Sequence, residues 1–156
     1  MKESSADRVL DLLEEIADAL DLDADVEVDE RDGVIYGTLI GEDLGLFIGR
    51  HGQTIDAVQH LAYKAAVQGQ TSGQRVVIDA AGYRQRREQI LHRQADQAAV
   101  DALRSGRPVA LDSMSATERK VVHEHLKDRS DLETYSEGTE PDRHLVIAPT
   151  SASQGA

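Results

Sequence analysis

A short segment near the middle of the chain combines two glycines with two basic side chains. Its candidate binding residues are Gly49, Arg50, His51, Gly52 and Gln53. With 12 glycines in 156 residues, roughly one G-x-x-G pair arises by chance, so the spacing alone carries little weight. The apolar residues on either side place the pair in a tight turn between two helices. Backbone N–H groups in such a turn can approach a sugar-phosphate chain, and Arg50 and His51 can meet its phosphates. A plain helix–helix turn is the alternative interpretation.

A second basic cluster lies on a helix predicted over residues 115–127. At 100° per residue, four basic side chains fall within about 100° of one another on this helix. They are Arg119, Lys120, His123 and Lys127. The residues predicted to face the core are Val121, Val122, His125 and Leu126. An exposed cationic stripe on a packed helix can bind phosphates, whereas a solvated basic face without a ligand is the alternative.

A long helix predicted over residues 84–104 carries further cations. Arg86, Arg93 and Arg104 fall within about 20° of one another on its surface. The opposite side is a thin apolar stripe suited to packing, formed by Leu91, Ala95, Ala98 and Ala102. We expect Arg86 and Arg93 to line the path of a bound strand between the two basic clusters.

The elements that position these residues follow from hydrophobic periodicity and turn signals. The first half predicts a helix at 5–20, strands near 26–28 and 34–39, helical turns at 42–48, a helix from about residue 53 and a strand at 75–79. The second half predicts the helix at 84–104, a strand at 109–111, the helix at 115–127 and strands at 132–136 and 143–148. The pattern is a compact α/β unit followed by a smaller one.

Two motifs in this order resemble a known family. The stretch Ile48-Gly49-Arg50-His51-Gly52-Gln53-Thr54-Ile55 closely resembles the core of a KH domain, and the αββααβ order resembles its type II form. Arg119-x-x-x-His123, with Ser113-Met114-Ser115 before it and an ending at 143–149, resembles the R-x-x-x-H (R-three-H) domain. Together they resemble the Jag family, also called KhpB, of bacterial RNA-binding proteins.

The resemblance implies an α+β fold with a type II KH domain at 1–82 and a linking helix and R-three-H domain at 83–149. The small and polar residues at 150–156 predict a disordered tail. The resemblance further implies that a cleft beside the turn holds about four nucleotides of single-stranded RNA. The implied role is that of a post-transcriptional regulator or RNA chaperone linked to cell elongation and division, with a small KH-domain protein as a possible partner. The chain starts directly at the first KH helix, so roles of the longer members' N-terminal Jag domain are not expected here.

Net charge bears on the choice between partners. The chain carries −12, and residues 1–30 hold twelve acidic and two basic side chains, so most of the excess is N-terminal. Repulsion from these charges is screened beyond about 8 Å at physiological salt, so a local basic face elsewhere can still bind a polyanion. Two alternatives stay open: binding of single-stranded DNA, and a protein-interaction adaptor that uses the acidic helix at 5–20.

Other classes of function find little support. The absence of cysteine excludes disulfides, thiolate catalysis and cysteine-ligated zinc. His123 and His125 lie about 200° apart on a helix and cannot ligate one metal. No nucleotide-binding or nucleophile motif is present, so we expect no enzyme, no cofactor and no metal. No uncharged stretch exceeds 13 residues and the N-terminus lacks an apolar signal region, which predicts a cytoplasmic protein without membrane insertion.

Overall fold

The chain divides into two compact units, one ending at Gln85 and the other beginning at Arg86. The computed structural model describes residues 2–70 and 73–151. Most of the predicted tail, residues 152–156, lies outside this range, whereas the Thr150 N–H donates to the Asp131 carbonyl at 3.0 Å. No helix within the described residues is long and apolar enough to cross a bilayer.

The first unit contains a three-stranded sheet and its helices. Its elements are α1 (Ser5–Ala19), β1 (Asp25–Arg31), β2 (Val34–Ile40), α2 (Gly45–Ile48), a 3₁₀ turn (Arg50–Gly52), α3 (Gln53–Val67) and β3 (Arg75–Ala80). The strand order is β1-β2-β3, with β1 antiparallel and β3 parallel to β2. This order matches the predicted αββααβ pattern.

Local sequence explains how these elements form. The Ser4 hydroxyl accepts from the Asp7 N–H while the Asp7 carboxylate accepts from the Ser4 N–H, a capping box that starts α1. Along β2, alternate side chains point inward, and Ile35 and Leu39 are fully buried. On α3, Ile55, Val58 and Ala62 are buried, as is Ala66, whereas Ala65 is half-buried.

The second unit packs two helices against a small antiparallel sheet. Its elements are α4 (Tyr83–Ser105), which begins in the first unit, β4 (Val109–Ala110), α5 (Ala116–Leu126), β5 (Leu132–Glu137) and β6 (His144–Pro149). The strand order is β4-β6-β5. The predicted stripe of α4 is buried, and it packs with Val122 and Leu126 of α5 and with Ile147 of β6. The stripe is alanine-rich, so α4 can approach its neighbours closely.

Candidate nucleic-acid interface

The first glycine of the turn occupies a position that no other residue could fill without distortion. Gly49 ends α2 with φ 73° and ψ 177°. A Cβ there would lie 2.8 Å from the Thr54 Cβ and 2.9 Å from the Thr54 backbone nitrogen. Real Cβ atoms do not approach neighbours this closely, so the first turn of α3 lies directly against the Gly49 backbone. The glycine therefore brings the start of α3 next to the turn surface.

The second glycine is constrained from the other side. Gly52 has φ 79° and ψ 14°, and a Cβ there would lie 2.8 Å from the Tyr83 hydroxyl oxygen. Gly52 is the N-cap of α3, and no side chain caps this helix end. The Gln53 N–H donates to the Arg50 carbonyl within the turn. The next N–H groups of α3 thus form a helix N-terminus of partial positive charge without a capping side chain.

The two basic side chains of the turn point to solvent. His51 adopts the left-handed conformation, with φ 54° and ψ 25°, so the chain reverses direction between the glycines. Arg50, His51 and Gln53 are exposed. Within residues 2–70 and 73–151, neither the Arg50 side chain nor the His51 side chain takes part in a hydrogen bond or ion pair. The structure therefore brings all five predicted turn residues together, with two basic groups available to an anion.

A polar network that sequence reasoning missed holds the elements behind the turn. The Arg84 guanidinium donates to the Ile78 carbonyl at 2.6 Å, to Asp56 at 3.0 Å and to Gln59 at 3.0 Å. The Gln59 side-chain oxygen also accepts from the Ile78 N–H at 2.9 Å. Through these contacts, Arg84 near the start of the next helix is joined to β3 and to the first half of α3. No local pattern reveals them, because the Arg84–Asp56 pair spans 28 residues.

The prediction that Arg119 lies on an exposed cationic stripe of α5 is wrong, because Arg119 is buried. Its side chain is 11% exposed, and it donates to the Met114 carbonyl at 2.5 Å and to the Glu140 carboxylate at 2.8 Å. Glu140 belongs to the loop between β5 and β6, which covers this side of the helix. Arg119 thus ties the loop and the approach to α5 together within the fold.

The other three residues of the stripe are exposed, but they differ in their partners. Lys127 donates to Glu124 at 2.6 Å, and this hydrogen bond raises the pKa of Lys127 and lowers that of Glu124. His123 Nδ1 is in hydrogen-bond contact with the Thr134 hydroxyl. Of the three, only the Lys120 side chain has neither a hydrogen bond nor an ion pair in the described part of the chain. A phosphate could therefore meet Lys120 without displacing a protein partner.

The opposite face of α5 also departs from the prediction. Val122 and Leu126 are buried as expected, and Val121 is half-buried. His125 is not in the core: its side chain is 28% exposed, and its Nε2 lies 2.9 Å from the Asp96 carboxylate of α4. Glu118 is buried instead. Its carboxylate accepts a hydrogen bond from Arg87 at 2.7 Å, and this contact links α5 to α4. Arg86 and Arg93 are exposed on α4, as predicted.

Family models of known protein domains match both parts of the chain. The model of the KhpA/KhpB KH domain matches residues 6–79, and the model of the R-three-H domain matches residues 89–149. The RNA-binding protein KhpB of Clostridium symbiosum is 34% identical over 149 residues, which cover 94% of this chain and 67% of that relative. The chain belongs to the KhpB family. The predicted α+β fold, with a KH domain followed by an R-three-H domain, is confirmed.

Other members of the family are similar at the same level. RNA-binding protein KhpB of Lactiplantibacillus plantarum is 36% identical over 94% of this chain and 45% of its own length. That of Bacillus subtilis is 33% identical over 87% of this chain and 66% of its own length. The chain thus spans between less than half and about two thirds of these relatives. They are named as RNA-binding proteins and the matched domains are KH and R-three-H, so the expectation of a non-enzymatic protein is confirmed.

Proposed function

We propose that this chain binds single-stranded RNA, with the turn from Gly49 to Gly52 as its main contact. The observation that carries the proposal is the exposed Arg50-His51 pair on a turn that adjoins an uncapped helix N-terminus. Because the glycines let the turn pack directly against the start of α3, a nucleic-acid backbone that contacts the turn also lies close to the N–H groups of α3. The names of the family relatives support RNA as the strand that is bound.

The turn would hold the sugar-phosphate backbone and leave the bases free to be read by the adjoining cleft. Backbone N–H groups at the start of α3 donate to phosphate oxygens, and the helix dipole favours the negative charge. Arg50 and His51 add charge-assisted contacts, while Gln53 offers an amide at the edge of the turn. Release of counterions from the strand makes such binding sensitive to salt.

The R-three-H unit would supply a second anchor on α5. Lys120 is the first candidate phosphate contact there, with Lys127 and His123 beside it. Arg119 would contribute by fixing the loop that carries Glu140. Arg86 and Arg93 add positive charge on α4. Two weak sites on one chain raise the overall affinity through their effective concentration.

The finer role is proposed from the family resemblance. It is that of a cytoplasmic post-transcriptional regulator or RNA chaperone linked to cell elongation and division, with a small KH-domain protein as a partner. Single-stranded DNA binding and an adaptor function of the acidic α1 remain the competing hypotheses, and the following experiment separates them.

Fluorescence anisotropy with a labelled mixed-sequence RNA 12-mer, and with its DNA counterpart, tests the proposal over a salt series. The variants are Arg50→Asp and Arg50→Asp/His51→Asp, each verified as folded by circular dichroism. The control Lys64→Asp makes the same charge change as Arg50→Asp, about 16 Å along α3 from Gln53. We expect the wild-type protein to bind RNA with an affinity that falls as the salt concentration rises. The turn variants should lose at least about tenfold in RNA affinity, and the control variant should lose much less.

Each contrary result selects another hypothesis. Equal losses for Arg50→Asp and Lys64→Asp would mean that net charge, not the turn, carries the binding. Equal affinity for the RNA 12-mer and its DNA counterpart would show that the protein does not prefer RNA over DNA. Absence of binding to either strand would favour the adaptor.

A further inference from the structure

A cleft in the R-three-H unit lies between α4 and α5, on a different side of α5 from Arg119 and His123. Its volume is about 430 Å³, within the range of roughly 300–1,000 Å³ that is typical of ligand pockets. Most of its surface is apolar. The residues that matter for its chemistry are Glu88, His92, Lys120, Val121, Glu124 and His125.

Two histidines form a flat aromatic wall of this cleft. The rings of His92 and His125 are stacked, with centroids 4.0 Å apart and planes only 8° from parallel. The His125 ring is held by a hydrogen-bond contact of its Nε2 with Asp96 of α4 at 2.9 Å, and His92 Nε2 lies 3.7 Å from the Glu88 carboxylate. The side chains of His125 and His92 are 28% and 34% exposed, so part of the ring surface faces solvent. The wall is thus preformed and needs little ordering when a ligand binds.

The helices that carry the two rings are themselves fixed. Arg87 and Glu118 form an ion pair at 2.7 Å between α4 and α5, with side chains only 15% and 11% exposed. This pair lies one residue from Glu88 and one residue from Thr117, both of which line the cleft. The spacing of the two helices beside the rings is therefore set by a desolvated, hydrogen-bonded contact.

The charges around the cleft indicate what part of a nucleic acid it could accept. Glu88 and Asp96 place negative charge beside the rings, which disfavours a phosphate there. The Glu124 carboxylate is held by Lys127 at 2.6 Å, and Lys120 stands at the rim without an ion pair in the described residues. A planar, uncharged heterocycle could lie against the rings while its phosphate meets Lys120. Lys120 also belongs to the exposed basic face of α5, so the cleft is continuous with the proposed second anchor.

We propose that this cleft binds one nucleobase of the RNA strand by stacking on the His92–His125 pair. The inference rests on the proposed function for its ligand, and it adds a base-binding subsite to a surface otherwise expected to contact phosphates. Base stacking tolerates every base, so the subsite would add affinity without strict sequence preference.

The test compares strands with and without bases. A labelled RNA 12-mer and an abasic 12-mer of the same phosphate spacing are titrated into wild type, His125→Ala and His125→Phe, with His60→Ala, an exposed histidine of α3, as the control. We expect His125→Ala to weaken the base-bearing strand about tenfold and to leave the abasic strand unchanged. His125→Phe keeps an aromatic face and should bind within about threefold of wild type, and His60→Ala should bind like wild type.

Ring resonances supply an independent readout that does not depend on variants. In ¹H–¹⁵N spectra of the histidine side chains, the base-bearing strand should shift His92 and His125, while the abasic strand should not. Equal losses of affinity for both strands, a phenylalanine variant as weak as the alanine variant, or unmoved ring signals would each overturn the subsite. If Arg50→Asp binds like wild type while His125→Ala is weak, the turn proposal fails and the subsite stands; the reverse pattern overturns the subsite alone.

Discussion

The Arg119 guanidinium lies 2.8 Å from the Glu140 carboxylate, which belongs to a loop 21 residues further along the chain. A second guanidinium nitrogen donates to the Met114 carbonyl at 2.5 Å. The first residue of the R-x-x-x-H motif is therefore built into the fold, whereas the side chain of its neighbour Lys120 is exposed and has no hydrogen bond or ion pair with the described residues. We therefore expect substitution of Arg119 to lower the stability of the fold, and substitution of Lys120 to weaken RNA binding.

Replacing Arg119 by alanine should destabilise the R-three-H unit. The change leaves a buried carbonyl and the Glu140 carboxylate without their charge-assisted donor, which costs about 1–3 kcal/mol. Lys120→Ala should leave the free energy of unfolding within about 0.5 kcal/mol of wild type, since exposed side chains of this kind contribute little. Urea unfolding followed by circular dichroism measures both. Similar stabilities for the two variants would show that the Arg119 contacts are unimportant to the fold.

Gly52→Ala should destabilise the KH unit more than Gly69→Ala. Both glycines have positive φ, 79° and 76°, so both substitutions incur about 1–2 kcal/mol of backbone strain. Only at Gly52 would the new Cβ also meet Tyr83, at 2.8 Å from its hydroxyl oxygen, whereas nothing lies within 4 Å at Gly69. The difference between the two unfolding free energies therefore measures the close approach of Tyr83. Equal losses would mean that Tyr83 moves aside without cost.

The start of α1 should give stability that depends on pH. Hydrogen bonds from the Ser4 N–H and hydroxyl lower the pKa of Asp7 in the folded protein below its ordinary value. The carboxylate contact therefore stabilises the fold above the unfolded-state pKa, and this contribution is lost as the pH falls through the lowered, folded-state pKa. Asp7→Ala should lower the melting temperature at pH 7, and the gap from wild type should shrink as the solution is acidified. Glu14→Ala removes one carboxylate from the exposed side of the same helix and serves as the charge-matched control.

The parts of the fold that depend on neighbours in sequence were predictable, and those that depend on distant partners were not. The Ser4–Asp7 capping box, the alternation of Ile35 and Leu39, and the turn from Gly49 to Gly52 all follow from contacts within a few residues. The prediction for α5 rested on the assumption that only one side of the helix is buried. A loop carrying Glu140 covers a second side, so Arg119 is buried, while His125 finds a polar partner in Asp96 and stays at the surface.

Amide chemical-shift mapping with the RNA 12-mer tests the central claim most directly. In ¹⁵N-labelled protein, the amides from Gly49 to Thr54 should show the largest shifts of the KH unit as RNA is added, and Arg50→Asp/His51→Asp should abolish them. Lys64→Asp should leave these shifts in place. If the amides from Gly49 to Thr54 stay unmoved while RNA shifts resonances elsewhere in the chain, the turn does not bind the strand and the account is contradicted.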